Sequence, residues 1–328
     1  METVFRDIEE RAEESTRGRI LVTAINMTVN PTPPFDFELS AMIFSEGDPQ
    51  IRKYEKGEFW QVIRAGSKLI LLTITNAGTV EEPKLSVRLE SDQRISNRDR
   101  EKGGKTVRTL FNLDFDVKPF YEQTKEDNVM TYLTRKLRGL KSPTTPTVFE
   151  ALIDSIVEQQ ISLIIANTME ERLIKSFGKV LSLNKQVYYA FPTPQEFASA
   201  SIQTLRSCGL SQRKAEYIKD VSKMVTDGKL CLEKLKGYED ANDIIAELDG
   251  IRGIGIWTAE MTMVRGMQRM DAFPADDVGL RRVISHYYCG DGEISSEEAR
   301  KIAEKWGKWK GLVSFYLIVA AAKDIRIH

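Results

Sequence analysis

Residues Leu248 to Leu280 read LDGIRGIGIWTAEMTMVRGMQRMDAFPADDVGL, and this stretch decides the fold. Two helix-period segments, ANDIIAELDG (241–250) and WTAEMTMVRGMQRM (257–270), are joined by Gly253-Ile254-Gly255. Glycine takes positive φ without penalty and lets another backbone come close. Backbone N–H groups in such a turn, at the start of the next helix, form a site for an anion. A DNA phosphate fits it, and contact through backbone donors carries no sequence preference. A plain helix–helix turn has the same G-x-G pattern, so the hairpin by itself leaves both readings open. Asp277 lies twenty positions beyond Trp257, inside FPADDVG, and opens the helical pattern DDVGLRRVISHYY. Asp276 and Asp277 therefore suit a helix cap as well as chemistry.

Working outward, two regimes appear along the 328 residues. Residues 1–18 form a charged N-terminal segment, METVFRDIEERAEESTRG. Residues 19–117 read as strands and turns with one or two helices. ILVTAINMTV stops at the breaker NPTPP, FDFELSAMIF follows, and then come EFWQVIRAG, KLILLTITNAG and PKLSVRLES, β-rich runs bounded by Gly, Asn and Pro. Residues 118–328 are dominated by helical periodicity. VFEALIDSIVEQQISLIIANTMEERLIKSFG (148–178) reads as one helix ending at Gly178. IQTLRSCG, SQRKAEYIKDVSKMVTDG with Ser211 as its N-cap, and SSEEARKIAEKWGKWKGLVSFYLIVAAAKDI supply further helices. The fold class is α+β: an N-terminal antiparallel or mixed β-sheet domain, then an all-helical domain.

Composition removes several chemistries. Two histidines, His286 and His328, leave no Ser/His/Asp triad. With Cys208, Cys231 and Cys289 in no C-x-x-C pair, there is neither a zinc site nor a disulfide framework. Catalysis must rest on carboxylates, amides or backbone groups. No apolar run reaches the about 20 residues of a membrane span, and the N-terminus lacks a signal-peptide core, so a cytoplasmic protein is expected. Net charge is −1. Segments 204–236 and 300–326 are nevertheless rich in Lys and Arg, which gives the C-terminal half a candidate basic face.

Several separated motifs share one resemblance. Gly253-Ile254-Gly255, Trp257 and FPADDVG resemble the helix-hairpin-helix-GPD superfamily of DNA glycosylases, in particular its AlkA-type branch (3-methyladenine DNA glycosylase II). LFNLDFD (110–116) resembles the junction between that family's sheet and helical domains, the former a TBP-like fold. IVEQQIS (156–162), FPTPQEFASASIQTLRSCGLSQRKAEYI (191–218) and AEKWGKWKG (303–311) resemble further family segments in the expected order.

The resemblance implies a function: base-excision repair by hydrolysis of the N-glycosidic bond of alkylated purines, flipped out of duplex DNA. It puts catalysis on Asp277 rather than Asp276. Breaking this bond develops positive charge on the sugar, and a carboxylate in a low-dielectric site stabilises it and can activate water. Bifunctional relatives carry a nucleophilic lysine at position 257. The Trp257 of this chain can only stack on an electron-poor base, so no strand cleavage is expected. Met261 and Val278 complete the implied base-binding set. Gln160, with Gln159 beside it, takes the place of the wedge that fills the hole left by the flipped base, and Gly253, Ile254 and Gly255 the phosphate site. A structural monovalent cation on the backbone carbonyls of Ile251 and Ile254 is the one cofactor-like group implied.

The pocket is less aromatic than the family type, with Met261, Val278 and Ile318 where rings stand elsewhere, which leaves room for a neutral lesion such as hypoxanthine or 8-oxoguanine. YEKGEFW (54–60) resembles a substrate-contacting turn of 8-oxoguanine glycosylases, although packing is the readier role for Tyr54 and Trp60. A catalytically silent helix-hairpin-helix DNA-binding module is the alternative outside enzymes. The expected partner is damaged double-stranded DNA, bound by a monomer.

Overall fold

A computed structural model describes residues 22–326; the charged segment 1–18 lies outside them. The strands are β1 (Thr23–Val29), β2 (Arg52–Glu55), β3 (Glu58–Ala65), β4 (Lys68–Asn76), β5 (Leu85–Ser91), β6 (Val180–Leu183) and β7 (Gln186–Tyr189). The helices are α1 (Phe37–Ala41), α2 (Asn97–Leu110), α3 (Lys118–Gln123), α4 (Asn128–Lys136), α5 (Val148–Glu158), α6 (Leu163–Phe177) and α7 (Pro194–Ser199). They continue with α8 (Ile202–Ser207), α9 (Gln212–Thr226), α10 (Ala241–Asp249), α11 (Ile256–Met267), α12 (Val278–Tyr288), α13 (Ser296–Ala303) and α14 (Lys310–Ala322).

Strands β1–β5 form an antiparallel sheet in the order β1-β5-β4-β3-β2, followed in sequence by the helical half, an α+β architecture. Strand β4 is apolar on both faces for a reason the period of two makes clear. Ile70, Leu72 and Ile74 pack with Phe59, Phe111 and Val107 into the main core of the sheet domain. Leu69 and Leu71 face the other way, against Leu181, Leu183 and Ala190. Leu181 and Leu183 belong to β6 and Ala190 directly follows β7, so the β6–β7 hairpin reaches back from the helical half to cover the sheet. The sequence reading missed this hairpin. Its signal is the alternation VLSLNKQVYY and the two-residue turn Asn184-Lys185, where both φ values are positive, at 49° and 68°.

FDFELSAMIF forms α1 and a 3₁₀ turn, because Asp36 Oδ1 accepts the Leu39 N–H at 2.9 Å and caps the helix. One further expectation changes. The 148–178 run is two helices rather than one. Gln160 adopts φ 57°, the left-handed region, and the chain turns over residues 159–162 before α6 begins. Ser211 caps α9 through the Lys214 N–H, as its sequence position suggests.

The helical half holds two cores. One gathers α5 with α9, α10 and α11, and the other gathers α3, α4 and α12 to α14 around Trp306, Tyr316 and Phe120. The candidate site lies between them. The sheet domain is fastened alongside by Lys141, a fully buried lysine whose Nζ donates to the carbonyls of Thr32 and Leu113 at 2.9 and 3.0 Å. Burial pulls its amine down to about 8.

Candidate nucleic-acid cleft

A cleft of about 1810 Å³ runs between the two helical cores and ends against the sheet domain at Phe44 and Arg52. Every residue singled out in the sequence as a site candidate lines it: Ile251, Gly253, Ile254, Gly255, Trp257, Met261, Gln159, Gln160, Asp277 and Val278.

Its mouth is the Gly-Ile-Gly turn between α10 and α11. Gly253 has φ 88°, and a Cβ there would meet the ring of Tyr217 at 2.3 Å. Glycine is thus demanded twice, by its dihedral and by the ring beneath it. Arg252 lies over the other part of that platform, 5.4 Å from the Tyr217 centroid, and pairs with Glu216 at 2.7 Å. Tyr217, from α9, was not anticipated; its place under the hairpin follows only from tertiary packing. The N-terminus of α11 has no side-chain cap. The N–H groups of Gly253 and Gly255 donate to no backbone carbonyl among the described residues, so they remain open to an anion. Ile254 differs. Its N–H donates to the Ile251 carbonyl at 3.0 Å and is spent within the turn, which removes it from the set of phosphate donors. Arg213 and Arg282 also line the cleft without an ion pair among the described residues.

The carbonyls fit a cation in part. Ile254 O accepts no hydrogen bond among the described residues, and Ile251 O keeps one lone pair beyond the bond from Ile254. The Gly253 carbonyl is occupied by Gln159 Nε2 at 2.8 Å, and the same amide reaches Thr258 Oγ1 at 3.0 Å. Gln159 therefore fastens the α5–α6 turn to the hairpin and is not free to act as a wedge. Gln160 is exposed at the tip of that turn and makes no such bond.

Asp277 lines the same cleft as N-cap of α12. Its Oδ1 accepts the Leu280 N–H at 2.7 Å, and its own N–H donates to Pro274 O at 2.9 Å. Its Oδ2 has no partner, and no cation pairs with it among the described residues. Capping and chemistry thus fall on different oxygens of one carboxylate. Asp276 is turned to other work: Ser296 Oγ donates to it at 2.6 Å and Arg300 lies 3.9 Å away. Arg300 also holds the buried Glu260 of α11 at 2.9 Å and the Phe273 carbonyl at 3.2 Å, fixing the loop that carries both aspartates. Burial pushes the Glu260 carboxyl up, and Arg300 opposes it.

Trp257, Met261 and Arg265 follow at i, i+4 and i+8 along α11 and all line the cleft. Trp257 is partly exposed and pairs with no other aromatic ring among the described residues. Val278 and Ile318 are about half exposed at 51% and 45%. Tyr54 and Trp60 stay out of the cleft. Tyr54 packs edge-on against Phe37, and Trp60 Nε1 donates to Pro49 O at 2.8 Å, as a packing role requires.

The inner end of the cleft is charged. Arg265 pairs with Glu158. Arg52 lies 3.6 Å from Glu150 and 3.7 Å from Glu170. Among the described residues, Asp154, 6% exposed, makes no hydrogen bond, and its Oδ1 is buried without a partner. Burial first, then neighbouring carboxylates, pushes Asp154 well above the usual range; Glu150 is pushed up to about 7, chiefly by burial. Among the described residues no group of His, Cys, Asp or Glu is arranged to hold a metal ion, and no helix is long and apolar enough to cross a membrane.

Three relatives place this arrangement. A DNA-3-methyladenine glycosylase of Bacillus subtilis is 28% identical over 89% of this chain and 97% of its own. The 3-methyladenine DNA glycosylase of Archaeoglobus fulgidus superposes with a TM-score of 0.80 at 26% identity, over 92% of this chain and 100% of that one. A DNA-3-methyladenine glycosidase of Bacillus halodurans is 31% identical, covering 64% of this chain and 93% of that one, with a TM-score of 0.51. Residues 153–308 match the HhH-GPD superfamily base excision DNA repair protein family, a span that carries the hairpin, Trp257 and Asp277. With the hairpin, the capped aspartate and the cleft in this order, the chain belongs to the HhH-GPD superfamily of base excision DNA repair proteins.

Proposed function

We propose that this protein is a monofunctional DNA glycosylase that hydrolyses the N-glycosidic bond of alkylated purines in duplex DNA. The observation that carries the reading is the unpaired Oδ2 of Asp277 in the cleft that the partly exposed ring of Trp257 also lines. The relatives named for 3-methyladenine support the substrate class.

The duplex backbone meets the hairpin through the N–H groups of Gly253 and Gly255, with Arg213 and Arg282 adding charge. A cation on the carbonyls of Ile251 and Ile254 would supply positive charge beside that phosphate. The damaged nucleotide leaves the stack and its base lies on Trp257 between Met261 and Val278. Gln160 enters the space it vacates. As the bond lengthens, the sugar gains positive charge, which the Asp277 carboxylate stabilises; the same group orients or deprotonates the attacking water. The leaving purine carries its bonding electrons away, easily so because alkylation has already made it cationic. Position 257 offers no amine, so no Schiff base forms and the abasic strand stays intact.

The test is incubation with methylated duplex DNA, measuring released bases and strand breaks separately. Release of 3-methyladenine or 7-methylguanine, with breaks appearing only after alkali, is expected. Strand scission without alkali would instead indicate a lyase, and no release from any damaged duplex would leave only a DNA-binding module.

A further inference from the structure

We infer that the inner end of the cleft is a charge filter, in which Asp154 selects a purine whose ring carries a positive charge. The inference rests on the glycosylase reading above and names how its substrate is chosen. A cationic base can be met by stacked aromatic rings. Here Trp257 is one ring, and Met261, Val278 and Ile318 complete the apolar lining. The inner wall is built differently. Asp154, Glu158 and Glu170 line it with Glu150 behind them, four carboxyl groups against the two guanidinium groups of Arg52 and Arg265.

Asp154 is the member left over. Glu158 has Arg265, and Glu150 and Glu170 share Arg52. Asp154 lines the cleft, is more than nine-tenths buried, and has no hydrogen bond or ion pair among the described residues. A buried polar atom without a partner is rare in folded proteins and points to a partner that arrives later. Arg265 marks the depth: it lies two helical turns, about 12 Å, along α11 from Trp257 on the same face. A base stacked at Trp257 and inserted edge-first therefore presents its N–H groups toward this wall.

Charge decides which base gains. Burial and the neighbouring acids keep Asp154 reluctant to ionise in the free protein. A neutral purine relieves none of that repulsion. A ring with fixed positive charge does, and its amino and imino groups become stronger donors to the waiting carboxylate. Phosphate is drawn to the basic mouth, and only the base goes deep.

Asp154→Asn keeps the size and removes the charge. Single-turnover excision is measured on duplexes containing 7-methylguanine, which is cationic, and hypoxanthine, which is neutral, together with affinity for an abasic duplex. The 7-methylguanine rate is expected to fall at least about tenfold, the strength of one charged hydrogen bond. The hypoxanthine rate and abasic affinity should move less than about twofold. A parallel fall on both bases, or an unchanged 7-methylguanine rate, overturns the filter while leaving the glycosylase reading intact. A wild-type protein that releases neither base, nor any other, overturns that reading itself. If Asp154→Asn melts below the assay temperature, the same two rates are compared at a lower temperature at which it stays folded, and an unchanged cationic-to-neutral ratio there overturns the filter too.

Discussion

The two ends of the cleft are built by opposite means. At the mouth, the proposed function falls on groups left open: the N–H groups of Gly253 and Gly255, the ring of Trp257 and the Oδ2 of Asp277. Each is positioned locally, by a turn or a helix cap within a few residues. At the inner end nearly every polar group is bound to another, and the members come from β2, α5, α6 and α11. A mouth made of short-range elements can be retuned residue by residue. An inner wall made of cross-linked buried charges cannot, because removing one partner strands the others. Substitutions at the mouth should therefore cost activity, and substitutions at the inner end should change stability or selectivity.

The largest effect sharpens the first half of that contrast. Asp277→Asn should lower single-turnover excision by about 10²- to 10³-fold, the scale of losing one electrostatic stabiliser of the transition state. Its melting temperature should hardly move, since the amide oxygen can still cap α12. Behind the inner wall, Glu150→Gln should act on stability instead. The Glu150 carboxyl is pushed up to about 7 in the fold, above the 4.5 of an ordinary glutamate. Its contribution is fully present below pH 4.5 and is lost as pH rises through about 7. Urea unfolding at pH 5 and pH 8 should show wild type losing up to about 3 kcal/mol more than the variant across that interval. An equal pH slope in both proteins would show that the inner charges do not behave as a buried network.

Smaller effects return to the mouth. Gly253→Ala forces a side chain into positive φ and onto the Tyr217 ring. About 1–3 kcal/mol of local strain is expected, read as a weakening of abasic-duplex binding of about tenfold or more. Smallest of all, Arg213→Ala and Arg282→Ala should each lower the slope of log affinity against log salt by about one, with little effect on the excision rate of bound substrate. A slope unchanged in both would move the DNA path away from this mouth.

The sequence made the mouth legible for the same reason that makes it retunable. A Gly-x-Gly turn, a tryptophan just beyond it and an aspartate twenty residues on are all local signals. The two-domain α+β order was legible from the change of hydrophobic period. Other features were not. The break at Gln160 is hidden in a run of strong helix formers, and it appears because Gln159 is drawn onto the Gly253 carbonyl, 94 residues away. The β6–β7 hairpin was obscured by the helices on either side, although it pairs as a strand unit and covers Leu69 and Leu71. The inner wall left no trace at all. Asp154 sits at a helical position between Ile153 and Ser155, and nothing in LIDSIVE says that its carboxyl will be buried beside Glu170 and Arg52. Asp277 shows how two readings of one residue coexist: the cap and the candidate catalyst use different oxygens.

The most direct test of the account compares adjacent aspartates. Asp276→Asn and Asp277→Asn are each assayed for affinity on an abasic duplex and for single-turnover release of 7-methylguanine. Asp276 is bound to Ser296 and Arg300, whereas Asp277 presents a free oxygen to the cleft. The account predicts that both variants bind like wild type, that Asp276→Asn excises within a few-fold of it, and that Asp277→Asn is nearly inactive. Retained excision in Asp277→Asn, or an equal loss in Asp276→Asn at full affinity, would contradict it.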